Sequence, residues 1–297
     1  MRHKLFILHN PNAGPTARRH YHLILNLLRN AGAKAELAET SPYGEGMRVT
    51  AEAARSGGFD AIVAAGGDGT VHDAAEGLLG SDTPLGVIPM GTANVFAREA
   101  GLPLSPERVA HTLLYGTVRA IPVGQINDRP FLFVVGIGFD AEAVAHFETS
   151  GTRQLGQLGL IGPVLRALLS HRDVALRVTT DGGRKEAQWV IVTRVQRYAG
   201  GLLLSRNADI AQTKFYVVRF GGRGKLVRLR QLVALACGLV SYDRDVTIEG
   251  AEWVRVESDK PLPVQIDGEI LGALPAMITL HPKRLQLIFP VSPDRPR

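Results

Sequence analysis

A carboxylate set among glycines, Gly66-Gly67-Asp68-Gly69-Thr70, is the part of this chain best equipped for chemistry. Glycines at a sharp turn leave backbone N–H groups free to face an anion. Asp68 would repel a phosphate unless Mg2+ lay between the two charges. Within a phosphate-binding turn, metal binding is the expected reason for a negative charge. Glycines for the phosphate and one aspartate for the metal point to a nucleotide-dependent phosphotransferase; an ordinary glycine-rich turn is the plain alternative.

The flanking residues place this turn between a strand and a helix. Asp60 to Ala65 is short, apolar and β-branched, as a fully buried parallel strand should be, and Val71 to Leu79 has helical spacing. Further strands are expected at Lys4 to His9, Ala33 to Glu39 and Leu85 to Ile88, with helices at Thr16 to Ala31 and Glu45 to Ser56. Ser105-Pro106-Glu107 carries a cap, a first-turn proline and an acid that together start another helix. Strands separated by helix-length segments imply right-handed βαβ units in a layered α/β domain. Asn10-Pro11-Asn12-Ala13-Gly14 follows the first strand and Pro89-Met90-Gly91-Thr92-Ala93-Asn94 the fourth. Three polar, glycine-bearing loops would therefore share the carboxyl edge of one sheet, where open α/β sheets bind ligands.

Near Ala120 the pattern turns to strands. They are expected at Ala120 to Ile126, Phe131 to Ile137, Ala175 to Thr180, Gln188 to Val195, Phe215 to Phe220, Trp253 to Glu257, Leu262 to Ile266, Ala276 to Leu280 and Leu285 to Phe289. Asn127 to Pro130 reads as a turn, Asp181-Gly182-Gly183 as a hairpin between two strands, and 155–170 and 225–240 as helical. The expectation is an α/β nucleotide-binding domain over 1–120, a mostly antiparallel β-sandwich or flattened barrel over 121–289, and a loose proline-rich tail over 290–297. Asp267-Gly268-Glu269 falls in a hairpin turn of the β half, where a solvated acidic turn would be its plain reading.

Composition narrows the class. One cysteine, Cys237, excludes an internal disulfide and any cysteine-rich metal site, which fits a reducing compartment. The nine histidines form no metal-ligand spacing. The apolar run after Met1-Arg2-His3-Lys4 is too short for a signal peptide, and no run is long enough to span a bilayer, so a cytoplasmic location is expected. A net charge of +6 invites nucleic acid, an anionic membrane or mere solubility as its reason. Aromatic residues are only 6% and never interleave with basic ones as a stacking platform would, so nucleic acid is not expected.

Taken together, Asn10-Pro-x-Ala-Gly14, Gly66-Gly-Asp-Gly-Thr70, Pro89-x-Gly-Thr-x-Asn94, Gly136-x-Gly-Phe139 and Asp267-Gly-Glu269 resemble, in order and rough spacing, the diacylglycerol kinase catalytic family. The closer likeness is to its bacterial soluble lipid kinases, related to sphingosine and ceramide kinases. The resemblance implies ATP, Mg2+ and transfer of the γ-phosphoryl group to a lipid hydroxyl, with diacylglycerol the default acceptor. It also implies an α/β domain like those of phosphofructokinase and NAD kinase, then a β-rich lipid domain, with the cleft between them. By this resemblance Asn10, Pro11, Asn12, Ala13, Gly14, Thr40, Gly66, Gly67, Asp68, Gly69, Thr70, Thr92 and Asn94 would line the nucleotide site. Asp68 would hold the catalytic Mg2+, and Glu269 would be the general base, with Asp267 ranked second.

This chain departs from the family pattern in two places. His72-Asp73 stands where Asn-Glu is frequent, and His72 reads as a helix-surface residue. Many bacterial members of the family this chain resembles carry an Asp-Asp-Gly or similar segment, like a structural Mg2+ site, soon after a Gly-Gly-Gly stretch; the matching region here runs from Gly200-Gly201-Leu202 to Ala211-Gln212-Thr213. Gln212 replaces its carboxylate, so no second metal is expected. NAD kinase remains the competing enzyme and a non-catalytic lipid- or nucleotide-binding module the competing class. The lipid would be presented by a membrane, and the exposed strands of the β half could support a homodimer. In 225–240, Leu226, Leu229, Val233, Ala236 and Val240 recur at helical spacing behind Arg223, Lys225, Arg228 and Arg230. This is either a helix packed on the β half with a solvated basic end, or an interfacial surface for anionic headgroups.

Overall fold

Buried β-branched runs alternating with amphipathic helices can satisfy their backbones only as a parallel sheet covered on both faces. That arrangement, with one antiparallel strand added at an edge, forms the first of two units in the computed structural model, which describes residues 1–11, 14–40, 45–151, 158–199 and 201–291. Its elements are β1 (Lys4–His9), α1 (Pro15–Asn30), β2 (Lys34–Glu39), α2 (Glu45–Ser56), β3 (Ala61–Gly66), α3 (Asp68–Leu78), β4 (Leu85–Pro89), α4 (Val95–Glu99), α5 (Pro106–Tyr115) and β5 (Thr117–Ile121). Leu5, Ile7, Ala61, Val63 and Ala65 point to one face and pack with Tyr21, Ile24 and Leu28 of α1 and Val109 and Leu113 of α5. Ser105 occupies the N-cap of α5 with extended backbone but makes no side-chain cap bond.

The second unit, Val123–His281, contains β6 (Gly124–Ile126), β7 (Arg129–Phe131), β8 (Val134–Ile137), α6 (Phe139–Thr149), α7 (Ile161–Ser170), β9 (Leu176–Thr180), β10 (Gly183–Ala187), β11 (Trp189–Thr193), β12 (Arg197–Tyr198) and β13 (Leu202–Leu203). It continues with β14 (Phe215–Phe220), α8 (Lys225–Ala236), β15 (Val246–Ala251), β16 (Val254–Ser258), β17 (Pro263–Ile266), β18 (Glu269–Ala273) and β19 (Ala276–Leu280). Two antiparallel sheets result, ordered β10-β9-β16-β19-β6-β7 and β15-β14-β11-β8-β17-β18. Alternate residues of both, such as Val178, Val254, Ile278, Val190, Val217 and Val264, share one core, as in a β-sandwich.

Several boundaries differ from expectation. The last strand, β20 (Leu285–Phe289), was assigned to the β half but lies in the first unit's sheet, ordered β2-β1-β3-β4-β20-β5. The single strand expected over Ala120 to Ile126 is two strands in different sheets, separated at Pro122 and Val123. Likewise Phe131 to Ile137 divides between β7 and β8. The Asp181-Gly182-Gly183 turn leads into β10, a short, charged strand that apolar alternation could not reveal. β15, β18 and α6 were also unforeseen. Residues 155–157 of an expected helix lie outside the described residues, as does most of the tail.

α8 packs through its polar face and not through its leucine stripe, against the first of the two readings. Arg228 and Gln231 face inward, while Leu226, Leu229 and Val233 face solvent. The buried polar groups have designated partners: Arg228 pairs with Asp173, and Gln231 accepts from Trp189 Nε1 at 3.2 Å and donates to the Gly221 carbonyl at 2.7 Å. Arg230 pairs with Asp243 and Asp245. Arg228 and Arg230, expected to greet anionic headgroups, are thus occupied within the protein.

At one edge of the sandwich Glu249 on β15 bonds Arg219 on β14 and, at 2.9 Å, Lys185 on β10 of the other sheet. The Arg219 hydrogen bond leads the causes that lower its pKa from 4.5 to about 2. A carboxylate depressed in this way stabilises the fold above its unfolded pKa and loses that contribution as pH falls towards the folded value. Glu249→Gln should therefore lower unfolding free energy near neutrality by at most about 3 kcal/mol. Urea unfolding should show this deficit shrinking between pH 4.5 and 2; a pH-independent deficit would reject the assignment.

Candidate active site

Four loops leave the sheet at one edge because four neighbouring strands end in register. Glu39 lies opposite His9, His9 opposite Ala65, and Gly66 opposite Pro89. Asn10 and Pro11 follow β1, Thr40 follows β2, Gly66 to Thr70 cross the end of β3, and Thr92 and Asn94 follow β4. Asn10 N donates to Ala65 O at 2.9 Å, Thr40 N to His9 O at 2.8 Å, and Met90 N to Gly66 O at 2.9 Å. These expected nucleotide contacts are thereby gathered on the carboxyl edge; Asn12 and Ala13 lie outside the described residues.

Two helices begin there with glycine at the N-cap, Gly14 before α1 and Gly67 before α3, and neither position supplies a side-chain cap. First-turn amides have no acceptor within their own helix, and the aligned peptide dipoles add partial positive charge. Pro15 removes one donor from α1. Together these starts favour an anion.

Close backbone approach makes the glycines necessary. A Cβ on Gly91 would lie 2.7 Å from Gly67 Cα, so the loops after β3 and β4 stand back to back. A Cβ on Gly66 would come within 2.2 Å of Thr70 Oγ1, and Thr70 itself is buried against that glycine. Asn94, at φ 47°, closes its own turn: Oδ1 accepts from Gly91 N and Nδ2 donates to Gly91 O, both at 2.8 Å. Thr92 remains exposed.

Asp68 has a second employment that sequence spacing could not show. Its Oδ2 accepts from Val95 N at 3.1 Å and its Oδ1 from Phe96 N at 3.0 Å, holding the start of α4. A metal is therefore not the sole reason for its charge, which corrects the sequence-level argument. Burial pushes its pKa up, and the amides of Phe96 and Val95 pull it back. Each oxygen spends one lone pair on these bonds and keeps another. Asp68 thus fits a Mg2+ that takes most of its ligands from phosphates and water. Among the described residues no cluster of three or more His, Cys, Asp or Glu side chains could hold a metal unaided.

In the second unit the two acids of Asp267-Gly268-Glu269 separate. Asp267 and Gly268 take φ 50° and 95° in the two-residue turn joining β17 to β18, a conformation that favours Asp-Gly. The Asp267 carboxylate accepts from Leu132, Phe133 and Val134 N at 2.6, 2.8 and 2.9 Å. Asp267, ranked second as base, thus anchors this loop. Glu269 begins β18 opposite Ile266 and is exposed.

Beneath this turn lies a polar group that the sequence reading missed. Gln265 Oε1 accepts from Gly268 N at 2.9 Å, and its Nε2 donates to Asp140 Oδ2 at 2.7 Å. Tyr198 donates to Asp140 Oδ1 at 2.8 Å. Burial raises the pKa of Asp140 and pushes that of Tyr198 well above its ordinary value. A Cβ on Gly136 would lie 1.7 Å from Asp140 Oδ2, which explains the glycine in Gly136-x-Gly-Phe139. An acid directly after that motif, entering the apolar α6, was the available signal. Buried Arg194 donates to the carbonyl of Ile210 at 2.8 Å and contacts that of Gln212 at 3.5 Å, so a guanidinium serves the loop where a second metal had been considered. Burial lowers its pKa to about 10, while the charges of Asp267 and Asp209 act in the opposite direction.

The α/β unit and the β-sandwich each match a known domain family. Residues 4–126 match the family described as Diacylglycerol kinase catalytic domain, and residues 133–289 that described as YegS C-terminal NAD kinase beta sandwich-like domain. The chain belongs to the diacylglycerol kinase family of lipid kinases. A Mycobacterium tuberculosis protein named diacylglycerol kinase is 32% identical over 80% of this chain and 79% of its own. A Bacillus subtilis protein of the same name is 27% identical over 96% and 95%. A Bacillus anthracis crystal structure shares the fold with a TM-score of 0.78, covering 97% of each chain at 23% identity.

Two substitutions test the geometry. Asp68→Ala should cost roughly 1–3 kcal/mol of stability by leaving the Val95 and Phe96 amides unsatisfied, and Gly91→Ala a similar amount, about 1–3 kcal/mol, by overpacking. Urea midpoints equal to that of the parent would show that these contacts do not hold the loops.

Proposed function

We propose that this protein is an ATP- and Mg2+-dependent lipid kinase that transfers the γ-phosphoryl group to a lipid hydroxyl, with diacylglycerol the default acceptor. The observation that carries the reading is the convergence of two uncapped helix starts and the Gly67–Gly91 contact on one sheet edge, within a lipid-kinase family. The names of the relatives support diacylglycerol as acceptor.

Phosphoryl transfer asks the protein mainly for alignment and charge neutralisation. The first-turn amides of α3 would hold phosphate oxygens, and the loops after β1, β2 and β4 would orient the nucleotide. Asp68 would hold Mg2+, which when bound offsets negative charge on the phosphates. The lipid oxygen bonds to the γ-phosphorus as the bond from that phosphorus to the ADP oxygen breaks. Glu269 takes the hydroxyl proton, and its exposure leaves it accessible to an incoming alcohol. NAD kinase is the competing reading, since the second unit matches a sandwich described as like that enzyme's.

Glu269→Gln should reduce kcat by about 10²–10⁴-fold with little change in KM for ATP. Asp267→Asn should act through stability, lowering it by about 1–3 kcal/mol. Steady-state assays with dispersed diacylglycerol, alongside other lipid alcohols and NAD, check both. An active Glu269→Gln protein would remove the base, and preference for NAD would replace the acceptor class.

A further inference from the structure

Two adjacent helices of the second unit carry large aliphatic side chains outward. On α7, Ile161, Leu165 and Leu169 recur every four residues and are 63%, 54% and 62% exposed. On α8, Leu226, Leu229 and Val233 form a matching stripe, with Leu226 82% exposed. α7 packs against α8, and Asp173, just beyond α7, accepts from Gly224 N at 2.8 Å and pairs with buried Arg228. The outward leucines of α8 are therefore imposed by its polar inner face, since turning them inward would break the bonds of Arg228 and Gln231. Exposed apolar area of this extent marks a surface that meets another phase or molecule.

Charge identifies the partner. Arg166, Arg172, Arg223 and Lys225 are exposed at this pair of helices and form no ion pair among the described residues. The nearby acids Asp173, Asp243 and Asp245 are already engaged by Arg228 and Arg230. An aliphatic face bordered by unneutralised cations, without aromatic anchors among its six principal residues, fits a bilayer better than a protein hot spot.

We propose that the α7–α8 face docks the protein on a membrane bearing anionic lipid, its leucines entering the headgroup boundary and its free cations meeting lipid phosphates. The proposal rests on the lipid-kinase reading for its purpose, although the surface can be tested without catalysis. Flotation with phosphatidylcholine vesicles, with and without phosphatidylglycerol and in the absence of nucleotide, measures it. The parent should float with the anionic vesicles, less so as salt rises. Binding should fall at least about tenfold in an Ile161→Gln/Leu226→Gln protein and in an Arg223→Gln/Lys225→Gln protein. Both variants should retain parental circular dichroism and parental turnover of a dispersed short-chain lipid. Undiminished flotation of both variants overturns the proposal. So does a dimer, seen by analytical ultracentrifugation, that the leucine variant dissolves while no protein binds vesicles. Turnover of dispersed lipid without any flotation overturns docking and leaves the kinase reading intact. Flotation without phosphorylation of any lipid alcohol supports docking and rejects the kinase reading.

Discussion

The contact between Gly67 and Gly91 is the constraint around which the candidate nucleotide site is arranged. With no side chain between them, the loops after β3 and β4 meet backbone to backbone. Asp68 then reaches the first amides of α4, and Asn94 closes the remaining turn. One acid thus ties a helix start to a neighbouring loop while retaining lone pairs for a cation. Rigidity and charge come from the same few atoms, so substitutions here should be read through stability as well as turnover.

The second unit supports its exposed acid differently. Glu269 is exposed at the start of β18, and its position follows from the turn preceding it. Asp267 anchors that turn to the 132–134 backbone, and Gln265 links it to Asp140 and Tyr198. A buried polar group of this kind is costly if left incomplete, because each lost partner strands another in low dielectric. The Asp140 side chain, hydrogen-bonded at each oxygen, therefore defines the local geometry more narrowly than apolar packing would.

Much of the architecture was legible wherever one face of an element had a single possible destination. Apolar β-branched runs gave β1, β19 and β20 at their observed bounds, because only buried strands suit them. The sheet to which β20 belongs was not legible, since pairing is decided by residues far away in sequence. The glycine loops were recognisable from composition and position, but the partners of their acids were not. Asp68 meets amides 27 and 28 residues away, and Asp267 meets amides 133 to 135 away. The orientation of α8 was hidden for the same reason: spacing shows a leucine stripe and a polar stripe, but Asp173, Trp189 and Gly221 decide which turns inward.

A crystal structure with Mg2+ and a non-hydrolysable ATP analogue would test the central claim most directly. The account predicts the phosphates over the amides that begin α3, with Asp68 bound to the metal and still accepting from Val95 and Phe96. Phosphates bound away from the 66–69 loop, or a metal bound without Asp68, would contradict it.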